Sequence, residues 1–105
     1  MGTDIQVTSP DGNAIEHYHF SKNRAIALIQ YGLWVGDYND KTVRDLLPVL
    51  NAVIFKMLEA GIKPLIEFRD WCRNEEAAGA LGNAIHFRNG LEANCGLDWK
   101  FWMDS

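Results

Sequence analysis

Hydrophobic and polar residues alternate strictly on both sides of Ser9-Pro10-Asp11-Gly12-Asn13, a pattern that predicts a β-hairpin at the start of the chain. Pro10 presets φ for a type I turn, and Gly12 supplies the left-handed residue of a bulge. With Ser9 facing Asn13, Val7 stands opposite Ile15 and Ile5 opposite His17. One face then carries Ile5, Val7, Ile15, His17 and His19, and the other Asp4, Gln6, Thr8, Glu16 and Tyr18.

Beyond the hairpin the period changes from two to 3.6. Ser21 is a good N-cap for a helix over 22–35, whose apolar residues (Ala25, Ile26, Leu28, Ile29, Leu33, Trp34, Val35) cover most of its circumference. Such a helix belongs at the centre of a core or in an oligomer interface. Asp40 caps a second helix over 41–60, closed by Gly61. Its core stripe is Val43, Leu46, Leu47, Leu50, Val53, Ile54, Met57 and Leu58. Pro48 lies inside it and removes one hydrogen bond, which predicts a bend near Arg44. Phe55 falls on the opposite side, beside Pro48, Ala52 and Glu59.

Residues 62–71 fit either a short helix with Pro64 at its first position or a strand entered through Gly61 and Pro64; their length and flanking residues favour the strand. Asn74 caps a third helix, with Glu75 and Glu76 in its electropositive first turn and Gly90 at its end. Gly79 and Gly82 within it let a neighbour pack closely. Finally, 97–104 alternates as a half-buried strand, with Leu97, Trp99, Phe101 and Met103 on one face and Asp98, Lys100, Trp102 and Asp104 on the other. Together these elements predict a single α+β domain over 1–105. The N-terminal hairpin and C-terminal strand form a small antiparallel sheet, with 64–70 as a candidate fourth strand, and three helices pack on one face.

Composition narrows the function classes. A hydrophobic fraction of 48% with 23% charged residues is that of an ordered globular chain. The net charge of −4, spread evenly over both halves, argues against a nucleic-acid binder that works through a basic surface. The longest apolar run, Ala25 to Val35 broken by Gln30, is far short of the ~20 residues a bilayer requires, so no membrane partner is expected. The N-terminus lacks the basic-then-apolar pattern of a leader, and Cys72 and Cys95 form neither a CxxC motif nor a disulfide framework. Two reduced thiols in a cytoplasmic protein is the expectation.

Three clusters could carry chemistry. His17 and His19, two apart on a strand, could reach one metal, with a third ligand from His86, Glu67, Asp70 or Cys72. Nothing in the spacing ties a third ligand to the pair, so the expectation is two sheet-edge histidines and no metal or other cofactor. The segment Glu67 to Arg73 leads into the third helix. There Cys72 would sit near a positive helix end, and Arg69 and Arg73 could hold a carboxylate or phosphate. Surface ion pairs around an inert thiol are the simpler reading. His86 is ten residues from Glu76, too far along one helix to form a pair with it. No P-loop, GxGxxG, HExxH or EF-hand pattern occurs.

The aromatic residues point elsewhere. Trp102 is on the outer face of its strand, with Tyr18 as the expected neighbour, and Phe55 is turned away from the core. Tyr18, Phe55 and Trp102 are therefore the expected ligand or partner surface. The sequence thus reads as a small binding or regulatory protein that self-associates as a homodimer through an aromatic and apolar surface, with another protein or a small molecule as further partners. The alternative is a small hydrolase- or isomerase-like enzyme or ligand binder, its pocket lined by His17, His19, Glu67, Arg69, Asp70, Cys72 and His86.

Overall fold

A computed structural model of the chain describes residues 2–64 and 76–104. Its elements are β1 (Gly2–Thr8), β2 (Ile15–Ser21), α1 (Lys22–Ile29), a 3-10 turn over Val35–Tyr38, α2 (Val43–Glu59), α3 (Glu76–Asn94) and β3 (Lys100–Asp104). The three strands form one antiparallel sheet in the order β2-β1-β3, and the helices cover one face of it in the expected α+β arrangement. The candidate strand at 64–70, and with it Glu67, Arg69, Asp70 and Cys72, lies outside the described residues apart from Pro64, which is in no strand.

The hairpin register differs by one residue from the sequence expectation. Thr8 pairs with Ile15, Gln6 with His17, Ile5 with Tyr18 and Asp4 with His19. The turn holds an extra residue because Asp11 organises it: its Oδ1 accepts from the Ser9 hydroxyl at 2.6 Å and from the Asn13 N–H at 3.0 Å. The Ser9 N–H then reaches the Ala14 carbonyl at 2.9 Å. A one-residue shift exchanges the two faces of the second strand. Tyr18 and Phe20 therefore point into the core beside Ile5 and Val7, while Ile15, His17 and His19 point outward with Asp4 and Gln6.

The helices also depart from expectation at their ends. Ser21 caps α1 as expected, its hydroxyl accepting from the Arg24 N–H at 3.4 Å. The helix stops at Ile29, however, and Gly32 follows at φ 103°, a left-handed conformation suited to glycine, so Leu33 and Val35 enter the core from irregular backbone. The cap of α2 is Thr42 rather than Asp40, in a capping box with Asp45. Its stripe Val43, Leu46, Leu50, Val53, Ile54 and Met57 is buried as expected; Leu58 is exposed. The end assigned to Gly90 is overturned: α3 runs through it to Asn94. β3 begins at Lys100, so Leu97 lies before it and is exposed, while Phe101 is fully buried.

Helix α3 is fixed to the sheet through Phe87. Its ring lies 4.9 Å from that of Tyr18, 5.8 Å from Phe20 and 6.0 Å from Phe101, so one side chain joins β2 to β3 across the core. The α3 backbone can approach because it is built of small residues where neighbours cross it. The Arg24 side chain lies against Gly79, and the Tyr18 ring against Gly90.

Candidate functional site

The two edges of the sheet are treated differently. The outer edge of β3 is covered by the chain itself. The Asp40 N–H donates to the Phe101 carbonyl at 2.8 Å, and the Phe101 N–H donates to the Lys41 carbonyl at 2.9 Å. The Met103 N–H donates to Asn39 Oδ1 at 2.9 Å. The first free N–H groups of α2 find partners in the same way: Val43 donates to the Trp99 carbonyl and Arg44 to the Leu97 carbonyl.

The outer edge of β2 has no such cover among the described residues. Asn83 Nδ2 donates to the His19 carbonyl at 3.5 Å, which shows that His19 directs its backbone away from β1. In an antiparallel strand the N–H and C=O of one residue share a side, and the side alternates. His17 and Ile15 therefore also present their backbone groups to that edge.

Beside this edge lies a groove of about 510 Å³ between β2 and α3. Its floor and walls include Tyr18, Phe20, Phe87 and Ile85, and its polar rim includes Asn83, His86 and Asn89. On α3 the groove follows Gly82, Ile85, His86 and Asn89, the three-and-four spacing of one helical stripe. Gly82 lines it at one end, and Arg24, hydrogen-bonded to Asn83 Oδ1, borders it. His86 stands edge-on to Tyr18 with ring centroids 6.0 Å apart. Burial, and then the neighbouring Cys95 and Glu16, push the Tyr18 phenol above its ordinary value of 10.0, so it is a neutral donor at physiological pH.

The outer sheet face is a second, shallower concavity lined by Asp4, Gln6, His17, His19, Trp102 and Asp104. His17, Gln6 and Trp102 form one cross-strand row, and His19, Asp4 and Asp104 the next. His19 Nδ1 lies 2.7 Å from Asp4 Oδ1. A carboxylate can only accept, so Nδ1 carries the proton of this contact, and the Cε1–Nε2 edge of the ring lies beside the Gly2 backbone. The pair is exposed on both sides.

The three aromatic residues expected on a partner surface, Trp102 with Tyr18 on the outer sheet face and Phe55 on the second helix, lie in three separate places. Tyr18 is under α3, Trp102 is on the outer sheet face, and Phe55 is on the solvent side of α2, 61% exposed. The pairing of Trp102 with Tyr18 is replaced by Trp102 beside Gln6 and His17, a consequence of the register. His17 and His19 do share a side, as expected, but no group of three His, Cys, Asp or Glu side chains among the described residues could hold a metal. His86 lies in the groove, on the other side of the sheet from the two imidazoles, and Glu67, Arg69, Asp70 and Cys72 are outside the described residues.

A further apolar patch arises because α1 ends at Ile29 and the chain turns back through Gly32 to Trp34. Ile26, Ile29 and Trp34, at 44%, 47% and 37% exposure, line a cavity of about 450 Å³ with Ala25, Lys22 and the start of β1. No helix among the described residues is long and apolar enough to cross a membrane. In comparisons with known proteins, no family model, no curated protein and no solved structure matches the chain.

Proposed function

We propose that this protein is an interaction module that takes an extended segment of a partner into the groove between β2 and α3 and adds it to the sheet as a further strand. The observation that carries this reading is the asymmetry of the sheet. Its own loop closes the β3 edge, while among the described residues the β2 edge is met only by the Asn83 side chain and runs beside an apolar groove. Main-chain pairing supplies affinity in such recognition, and alternate side chains of the added strand enter pockets that supply specificity. An open edge is otherwise a liability that proteins cover or blunt.

Selection from a displayed library of random peptides against the whole chain tests this. Selected peptides should bind saturably to the wild type and lose binding to His17→Pro. That substitution removes an N–H from the open edge and leaves the ladder to β1 intact, an edge position where proline is tolerated. Failure to select any peptide, or binding unchanged in a folded His17→Pro variant, overturns the reading.

Self-association is the second reading, favoured by the exposed Ile26, Ile29 and Trp34 and by Trp102 and Phe55 on other sides of the molecule. Sedimentation at micromolar concentration separates the two: a dimer that Ile29→Asp or Trp102→Ala converts to monomer supports it. The hydrolase- or isomerase-like alternative has one contact behind it, the Asp4–His19 pair on the outer face.

A further inference from the structure

The cavity beside α1 has a polar end and an apolar end. On α1 it follows Lys22, Ala25, Ile26 and Ile29, one stripe at three-and-four spacing that covers about two turns, or about 10 Å. Gly2 pairs with Ser21 and Thr3 with Phe20, so the start of β1 stands at the Lys22 end of the helix. Trp34 reaches the cavity from beyond the turn at Gly32. Its indole is seated on Gly36, where a Cβ would come within 2.7 Å of the ring. A volume of about 450 Å³ and a mainly apolar lining with few polar groups are those of a small-molecule site. The cavity shares no lining residue with the groove at β2 and is independent of strand addition there.

Two observations identify what the polar end holds. Among the described residues Thr3 is the only buried polar one, 3% exposed, on the helix side of the sheet with Ile5 and Val7. Its hydroxyl has no hydrogen-bond partner among the described residues, yet it is not sealed from solvent. Buried polar groups are normally paired, and the cavity that Thr3 lines is where its partner would enter. The second observation is Lys22. It occupies the first position of α1, whose first turn carries no acidic residue, although a helix start favours negative charge. We propose that this cavity binds a small aliphatic carboxylate. The Thr3 hydroxyl donates to the carboxylate, the Lys22 ammonium pairs with its charge, and the chain lies along Ile26, Ile29 and Trp34. One lysine matches the single charge of a carboxylate, and the chain covers three apolar side chains that are each more than a third exposed.

Head and chain make separable contributions. Each methylene added to the acid should tighten binding by up to about fourfold until the stripe from Lys22 to Ile29 is filled. Removing the exposed lysine charge should weaken binding roughly two- to fivefold. Thr3→Val keeps the shape and removes a hydroxyl that has no partner, so the ligand-free protein should be as stable as wild type or more so. The same change should weaken binding of the acid about two- to tenfold.

The experiment titrates the whole chain with hexanoate, octanoate and decanoate, and with octanol and octylamine as head-group controls, by calorimetry and NMR. Saturable binding of the acids is expected, tighter along the series. Amide shifts should fall on Thr3 and on Lys22 to Ile29, and the Trp34 indole N–H, assigned with Trp34→Phe, should move with them. Lys22→Gln should weaken octanoate and leave octanol unchanged, and Ile29→Asp, at an exposed position, should abolish binding of both. Absence of saturable binding, or binding unchanged in a folded Ile29→Asp variant, overturns the site. Octylamine bound as tightly as octanoate overturns the carboxylate. A Thr3→Val variant that loses stability but binds octanoate like wild type shows the hydroxyl to be structural and overturns its role. A dimer seen by sedimentation without any acid, and broken by Ile29→Asp, would put a second copy of the chain in the cavity and overturn the ligand.

Discussion

Tyr18 and Gly90 occupy the same space: a Cβ on residue 90 would overlap the Tyr18 hydroxyl and ring. Tyr18 cannot easily yield, because Phe87 packs on one side of it and His86 stands edge-on at the other. Gly90→Ala therefore sets two effects against each other. Alanine favours the helix by about 1 kcal/mol, while overpacking costs about 1–3 kcal/mol. The net outcome should be a loss of stability in urea melts. In a Tyr18→Ala background only the helix preference remains, so the same Gly90→Ala change should then stabilise. The reversal of sign is the check, and two losses of equal size would contradict the contact.

That contact also explains how much of the fold could be read in advance. Glycine past a periodic stretch is an ordinary helix stop, and Gly90 has that position in the sequence. Here it lies inside α3, which runs on to Asn94, and packs against a tyrosine from a strand more than seventy residues earlier, a contact no local pattern reveals. The hairpin failed in a related way. Alternation from Ile15 to His19 assigns residues to two faces but does not say which is inside; the turn decides that, and Asp11 lengthens it by one residue. Phe20, on the same face as Tyr18, carries the signal for the correct choice, since two aromatic side chains outweigh one isoleucine. By contrast, Val43 to Met57 and the burial of Phe101 against the exposure of Trp102 were legible, because a long stripe and a clean alternation each have one interpretation. The groove was the least legible feature. It is made where the middle of α3 passes the β2 edge, and only His17, His19 and His86 among its residues look chemical in the sequence.

The start of α2 depends on a charge. The Thr42 N–H and hydroxyl both donate to Asp45, at 3.1 and 3.0 Å, and hold its carboxyl below the ordinary value of 3.8. A carboxyl lowered by folding adds stability that is complete above its unfolded value and disappears as the pH falls through its folded value. Asp45→Asn should thus lower the urea midpoint at about pH 7, and the gap to wild type should close as the pH drops below 3.8. Asp11, held low first by the Ser9 hydroxyl and then by the Asn13 N–H, should behave in the same direction. A gap that stays constant down to about pH 2.5 would contradict the capping box as the source of the effect.

Cys95 should be a poor nucleophile. Burial, with the charge of Glu16 as the lesser cause, raises its thiol from 9.0 to about 11. The thiolate is the reactive form, so little of it exists at neutral pH. With Cys72→Ser isolating the site, iodoacetamide should modify Cys95 slowly near neutrality and faster only as the pH approaches 11. Glu16→Gln should raise the rate slightly and unfolding in urea should raise it strongly. Fast alkylation of the folded protein at about pH 7 would show that the thiol is solvated and undo the assignment.

β3 should carry more of the stability than its five residues suggest, and Phe101 should carry most of that. Its ring is fully buried against Phe87, and its N–H and C=O fasten Lys41 and Asp40 to the sheet edge. Phe101→Ala should cost about 3–5 kcal/mol, the range for deleting a buried aromatic side chain. That is a large part of the ~5–15 kcal/mol that holds a domain together. Trp99 packs on the core while remaining partly exposed, so Trp99→Ala should cost less than Phe101→Ala. Trp102, 44% exposed on the outer face, should cost least of the three. Removing everything after Gly96 takes away Phe101, the Trp99 carbonyl that accepts from Val43, and the backbone partners of Asp40 and Lys41 together. The truncated chain should lose its cooperative melting transition. The order of the three substitutions is the sharper test, because it depends on which face of β3 looks inward. Equal losses at Phe101 and Trp102 would mean that both faces are covered, and a larger loss at Trp102 would reverse the sheet.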